Sequence, residues 1–311
     1  MALAEQSAIS VKIVNTRAQI SLLPDGRRLH LHDGPIDVIV EAFGAPDQVR
    51  IAYEAAAERF VTILDELCSE LPLLRQAAGA DGPRVTGVVA RRMLDAVMPY
   101  AAKTFITPMA AVAGAVAEEI LSTLTAGANL RRAYVNDGGD IAIYIGKGEE
   151  FTVGMVERPD HPCLFGTVRL HASDPVRGIA TSGWRGRSFS LGIADAVTVL
   201  AESAAAADAA ATVIANAVDL PGHPSISRVP ACELAPDSDL GARLVTQDVG
   251  ELSDGEIELA LSFGVSTARM LIERGLITAV ALNLQGQTRL VGQCASLRQA
   301  ASTPARSLAH A

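Results

Sequence analysis

A chain of 311 residues, 49% hydrophobic and 4% aromatic, carries a formal charge of −9, with 35 acidic against 26 basic side chains. That balance excludes a nucleic-acid backbone or an anionic membrane as main partner, and it suits a globular chain whose core is built from Ala, Val, Leu and Ile. The four cysteines form no CxxC and the six histidines are dispersed, which argues against zinc and for reduced, structural thiols.

The first residues, MALAEQSAISVKIVN, lack a charged region followed by an apolar one, so no signal peptide is expected. No window reaches the roughly 18 apolar residues of a membrane span, and a cytoplasmic protein is expected. Residues 10–42 alternate in character around Pro24-Asp25-Gly26 and Asp33-Gly34-Pro35, which predicts an antiparallel meander. A helix is expected from about Pro46, with Val49, Tyr53, Ala56, Phe60, Leu64 and Leu67 on one face. Leu71–Pro83 reads as a loop and about Val85–Met98 as a second helix. Thr107-Pro108 opens a third, with threonine as cap.

Strands follow at RRAYVN, IAIYIG, EFTVGMV and CLFGTVRL, joined by NDGGD, GKGEE and an ERPDHP loop. Gly178–Thr181 and Ala194–Leu200 extend the sheet, with a helix over Ala204–Ala217. Residues 219–250, rich in Pro, Ser and Asp, read as irregular. Ser253 and Glu256 form a capping box for a helix to about Arg274, which Gly275 stops. A hairpin turning at Gln285-Gly286 comes last, and the tail 297–311 is expected to be mobile. Hairpins without βαβ alternation favour an α+β fold.

Three segments can carry chemistry. In NDGGD the glycines either shape a tight turn or let a ligand approach the backbone, with Asn136, Gly138, Gly139 and Asp140 as contacts. In ATSGWRGRS, the hydroxyls of Thr181, Ser182 and Ser188, the break at Gly183, and Arg185 and Arg187 suit phosphate or carboxylate; Trp184 offers a stacking face. A solvated loop with two ordinary arginines is the plain alternative. Asp208 and Thr212, four residues apart, share one helix face and can both reach Mg²⁺, or serve only the helix itself.

As an ordered set these segments resemble the ApbE-like superfamily, best known for FAD:protein FMN transferases. VNDGGDI is similar to its N-x-G-G-D, IATSG to its T-S-G strand end, and ADAAAT to its A-D-A-L-A-T helix. The similarity is closer to an uncharacterised soluble branch that shows a TPMAAVAGAVAE-like helix and a G-x-S-x-S-x-G-x-AD run, here Gly186–Asp195. The resemblance implies an α+β fold of two T-fold-like repeats of antiparallel sheet packed with helices, one domain over 1–296.

It also implies Mg²⁺ at Asp208 and Thr212, a flavin (FAD or FMN) or other nucleotide as cofactor, and transfer or hydrolysis at its phosphate. The family's A-K-G falls on Val112-Ala113-Gly114, without the lysine, and its His-x-x-Asp-Pro has no counterpart in SFSLGIAD. Two other readings stay open: an enzyme on a small anionic metabolite of amino-acid or sulfur metabolism, and an accessory subunit with a redox protein partner. Catalytic residues are unassigned, and a homo-oligomer is compatible with the sequence.

Overall fold

The computed structural model describes residues 17–156, 164–292 and 297–299. Its first ladder comprises β1 (Gln19–Leu22), β2 (Leu29–Asp33) and β3 (Ile36–Gly44); residues 10–16 of the expected meander lie outside the described residues. Leu29, Leu31, Val38 and Val40 are buried, as one face of a period-two pattern requires. Helix α1 (Pro46–Leu74) buries Tyr53, Ala56, Phe60, Ile63 and Leu67, an apolar stripe at helical spacing. It runs past the expected end at Leu71, because Pro72 in the last turn removes a single backbone bond.

Helix α2 (Val88–Val97) begins later than expected. The Glu70 carboxylate accepts the Thr86 and Gly87 amides at 2.9 and 3.1 Å, which holds the preceding residues in a loop. The third helix opens as a 3-10 turn (Pro108–Ala111) before α3 (Val112–Ala126). Thr107 does not cap it; its hydroxyl donates to Asp239 at 2.5 Å instead.

Next come β4 (Leu130–Asp137), β5 (Asp140–Ile145), β6 (Glu150–Val156), β7 (Leu164–His171), β8 (Gly178–Ser182), β9 (Ala196–Ala201) and α4 (Ala204–Ala217). The stretch expected to be irregular holds β10 (Ile226–Pro230), the one-turn α5 (Ala231–Leu234) and β11 (Leu244–Val249). Its proline sits at a strand end in a two-stranded sheet, where a missing donor is tolerated. Helix α6 (Asp254–Glu273) starts with the Ser253–Glu256 capping box. It precedes the hairpin β12 (Ala279–Leu284) and β13 (Gln287–Gly292). Within the expected tail, β14 (Leu297–Gln299) pairs with β7; the rest of the tail and the ERPDHP loop lie outside the described residues.

The large sheet is antiparallel throughout, in the order β1-β2-β3-β4-β5-β8-β9-β12-β13. Two units of the same plan lie side by side in it. One is β2–β3, helices, β4–β5; the other is β8–β9, helices, β12–β13. They meet where β5 pairs with β8 through Ile141↔Ile179 and Ala142↔Gly178. Helices α1, α3, α4 and α6 cover one face. The small sheet β14-β7-β6 covers the other, packing Val168 and Leu170 on Ile143, Ile179 and Leu200.

At the centre lies α4, whose alanines are buried nearly all round. Small side chains let its first turn touch both neighbours. A Cβ on Gly114 of α3 would stand 2.4 Å from the Ala204 carbonyl oxygen, and one on Gly178 would stand 2.1 Å from Ser203 backbone atoms. Glu118 of α3 also accepts the Ala205 amide at 2.7 Å. One membrane expectation is corrected. Pro108–Ala126 has the length and hydropathy of a span, but it packs as a core helix against α1, α2, α4 and the sheet.

Candidate functional site

The β4–β5 hairpin turns on Gly138 and Gly139, whose φ values of 62° and 115° come without a Cβ clash only in glycine. The Asn136 side-chain oxygen accepts the Gly139 amide at 2.8 Å and closes the turn. With two residues between the strands, Asp137 and Asp140 are direct cross-strand partners, so their side chains share a face. It is the helix-covered face, that of Val135 and Ala142.

Asp208, on the second turn of α4, joins them there. One of its oxygens accepts the Gly114 amide at 3.1 Å, and the Ala113 amide also bonds it. Asp208 therefore closes the start of α3, a helix with no side-chain cap of its own. Asp140 accepts the Thr181 amide at 3.2 Å, and Asp137 accepts the Asp37 amide at 3.4 Å.

Three carboxyl groups so placed resist ionisation. Burial pushes Asp137 up to about 7. Burial, then the charge of Asp208, pushes Asp140 well above the usual carboxylate range. Burial pushes Asp208 up to about 7 as well, against the amides of Gly114 and Ala113. The cation that relieves two of them is Arg187, which lowers Asp137 and Asp140 through space. Its guanidinium lies over the turn, 2.9 Å from where a Cβ on Gly138 would be, and donates to the Pro35 carbonyl at 3.1 Å.

A pH dependence follows. Raised carboxyls bind protons in the fold that the unfolded chain has released. Their stabilising contribution is therefore complete near pH 4 and is lost as pH rises toward about 7. Asp137→Asn should raise stability at pH 8 by about 2 kcal/mol, half the full value of a three-unit shift, and change little at pH 4. Urea unfolding at both values checks this; equal gains at both would contradict the burial account.

The second arginine of the loop is committed elsewhere. Arg185 donates to Asp195 at 2.6 Å and stacks on Trp184 with 4.3 Å between guanidinium and ring. Asp195, 2% exposed, also accepts from the Trp184 indole at 3.2 Å and the Gln285 amide at 2.6 Å. It anchors the arginine loop to the β12–β13 turn. Gly183 lies against the Ala194 and Asp195 carbonyls, closer than a Cβ would allow. The Thr181 hydroxyl pairs with Thr198 at 2.9 Å, so Thr181 serves the cluster through its amide alone.

Of the other residues singled out in the sequence, Ser182 follows Thr181 at the end of β8 and Ser188 is exposed. Thr212 lies half-buried one turn beyond Asp208 on the same face of α4. Asn136 and Gly139 shape the turn. Asp137 carries no role in the sequence reading, and Asp195 only ends the Gly186–Asp195 run. The first had a signal, since two aspartates flanking a two-residue turn must face the same way.

Among the described residues, no group of three or more His, Cys, Asp or Glu side chains is placed to hold a metal ion. A cation here would rest on two protein carboxylates, with hydroxyl, water or ligand oxygens completing its shell, as Mg²⁺ commonly does.

Comparisons with known proteins give three findings. The pattern of the family described as AbpE bacteria matches residues 20–290. A UPF0280 protein of Methanopyrus kandleri is 41% identical over 128 residues, 41% of this chain and 48% of that protein. A UPF0280 protein of Methanothermobacter thermautotrophicus is 40% identical over 153 residues, 48% of this chain and 57% of its own. The chain thus spans about half the length of the curated relatives it matches. Among solved structures, a mutant of the flavin transferase ApbE from Vibrio cholerae superposes with a TM-score of 0.44 at 12% identity, covering 85% of this chain and 96% of its own. The Pseudomonas stutzeri flavinyl transferase ApbE, in its apo form, gives 0.42 at 13% identity, covering 88% and 93%.

Proposed function

The chain belongs to the AbpE bacteria family, and on that premise we propose that it binds a divalent cation, Mg²⁺ by its hard-oxygen donors, at Asp140 and Asp208. With it the protein takes the phosphate end of a flavin or other nucleotide. The observation that carries this reading is the set of carboxyls at Asp137, Asp140 and Asp208, which bury charge beside one another. Such a set ionises fully only when a cation joins it.

The donors fit the ion. All are oxygens, and Thr212 adds a hydroxyl one turn along α4. The Gly114 amide fixes one oxygen of Asp208, so its partner oxygen has a set direction. Gly138 and Gly139 present bare backbone, and Arg187 above them is placed to meet a phosphate oxygen bidentately. When bound, the cation would screen phosphate charge beside these carboxylates. Cation-dependent binding of phosphate, rather than FMN transfer, is the function these residues support, because Ser188–Asp195 holds no histidine.

Calorimetric titration with FAD and with ADP, each with and without Mg²⁺, tests the reading. Binding should require Mg²⁺, and Arg187→Ala should weaken it about tenfold, or 1.4 kcal/mol. Affinity indifferent to both Mg²⁺ and Arg187 would sink it.

A further inference from the structure

A second recess lies at the other end of α4, between the segment 99–105 that joins α2 to α3 and the last turns of α6. It has a volume of about 420 Å³, within the range of small-molecule sites. Asn216, which lines it, is eight residues beyond Asp208, or about 12 Å along the helix axis. The recess is therefore separate from the aspartate cluster.

Its polar groups are donors. Lys103 and Arg274 bring two positive charges; Arg274 bonds the Pro99 carbonyl at 2.8 Å, and among the described residues neither cation has a carboxylate partner. The acid on the wall, Asp219, is already paired with Arg228. Asn216 has its oxygen occupied by the Leu191 amide at 2.9 Å and the Ser190 hydroxyl at 3.3 Å, which leaves its NH₂ to donate.

Tyr100 supplies the independent sign of a ligand. It is 5% exposed and lines the recess, and among the described residues its hydroxyl has no hydrogen-bond partner. Unlike the sealed, partnerless side-chain atoms of the core, this oxygen reaches solvent, so it is free to donate to a molecule in the recess. Burial pushes the phenol up to about 12, so at neutral pH it offers a proton and not a charge. The opposite wall is apolar, with Val213, Ala217 and Met270. The C-terminal ends of α4 and α6 add partial negative charge, about half a unit each, which the two whole cationic charges exceed.

We propose that this recess binds a small organic anion, a carboxylate or phosphate group on an apolar body, with Lys103 and Arg274 on the anion, Tyr100 and Asn216 donating to it, and Met270 and Val213 against its apolar part. In a protein of net charge −9, Arg274 ties α6 to the Pro99 carbonyl, yet among the described residues neither it nor Lys103 has a carboxylate to neutralise its charge.

The test is a titration of the whole protein, without divalent cation, using phenyl phosphate, benzoate and inorganic phosphate, followed by calorimetry and by NMR shifts. Phenyl phosphate, benzoate or both should bind, and whichever binds identifies the anionic group. Lys103→Ala and Arg274→Ala should each weaken binding about tenfold, and Tyr100→Phe about fivefold. Asp208→Asn and Arg187→Ala should leave it unchanged, which separates this recess from the cation site. Thermal melts confirm that each variant is folded, and the conservative Tyr100→Phe keeps the test readable if Arg274→Ala is not. No binding at millimolar probe, equal binding of inorganic phosphate, or loss on Arg187→Ala in place of Lys103→Ala would each overturn the proposal.

Discussion

Asparagine at Asp208 should weaken divalent-cation binding by about 100-fold, the upper range for removing even a supporting group of a metal site, and should leave the protein folded. The two effects separate because the proposed site gives Asp208 two duties. Its amide contacts with Gly114 and Ala113 need only an oxygen, which asparagine keeps. Its ligand duty needs charge, which asparagine loses. Since burial already pushes the carboxyl up to about 7, removing the charge should not lower apo stability.

Asp208→Ala should behave differently. It strips the acceptor from the start of α3 and leaves buried amides unpaired, at about 1–3 kcal/mol. Manganese titration by electron paramagnetic resonance, beside urea unfolding, measures both. An Asp208→Asn protein that binds manganese like the parent would end the metal reading, whatever the alanine variant does.

Alanine at Gly178 should be among the most damaging single-methyl changes in the chain, with a loss of about 3 kcal/mol or more. Its Cβ would fall 2.1 Å from Ser203 carbonyl atoms and 2.2 Å from the Ala204 amide nitrogen. None of these can swing aside, because all are backbone at the first turn of a buried helix. The strand or the helix must move, and Asp208 moves with the helix, so cation affinity should fall with stability. Gly255→Ala is the control: it lies in α6 with nothing within 4 Å of its added Cβ, and alanine there should gain about 0.5–1 kcal/mol. If both variants unfold at the same denaturant concentration, close approach at Gly178 is not what the glycine is for.

Local rules read well where local forces decide. The capping box at Ser253 and Glu256, the stop at Gly275, and the turn at Gln285-Gly286 are all set by neighbours in sequence. So was the shared face of Asp208 and Thr212, which needs only the helical period. Thr107 misled, because a threonine before Pro108 looks like a cap until Asp239, 132 residues away, takes its hydroxyl. Nor does anything in the loop of Arg185 itself show that Asp195 will hold it. Strand β10 was hidden by its serine and proline, which cost little in a two-stranded sheet, and β11 by the Pro, Ser and Asp of the segment around it. The recess beside Tyr100 had no local signature, since its walls come from segments scattered between Pro99 and Arg274.

The seam between the two units carries a consequence for how such a chain can vary. The first unit supplies Asp137, Asp140 and the Gly114 amide; the second supplies Asp208, Arg187 and the Thr181 amide. Neither half inherits a complete set. Drift at the glycine turn of one half can be answered only by a change at Arg187 in the other, and drift on α4 only by a change at the start of α3. The two halves share a plan, and at the seam each group of one half meets its counterpart in the other, as across the faces of one obligate complex.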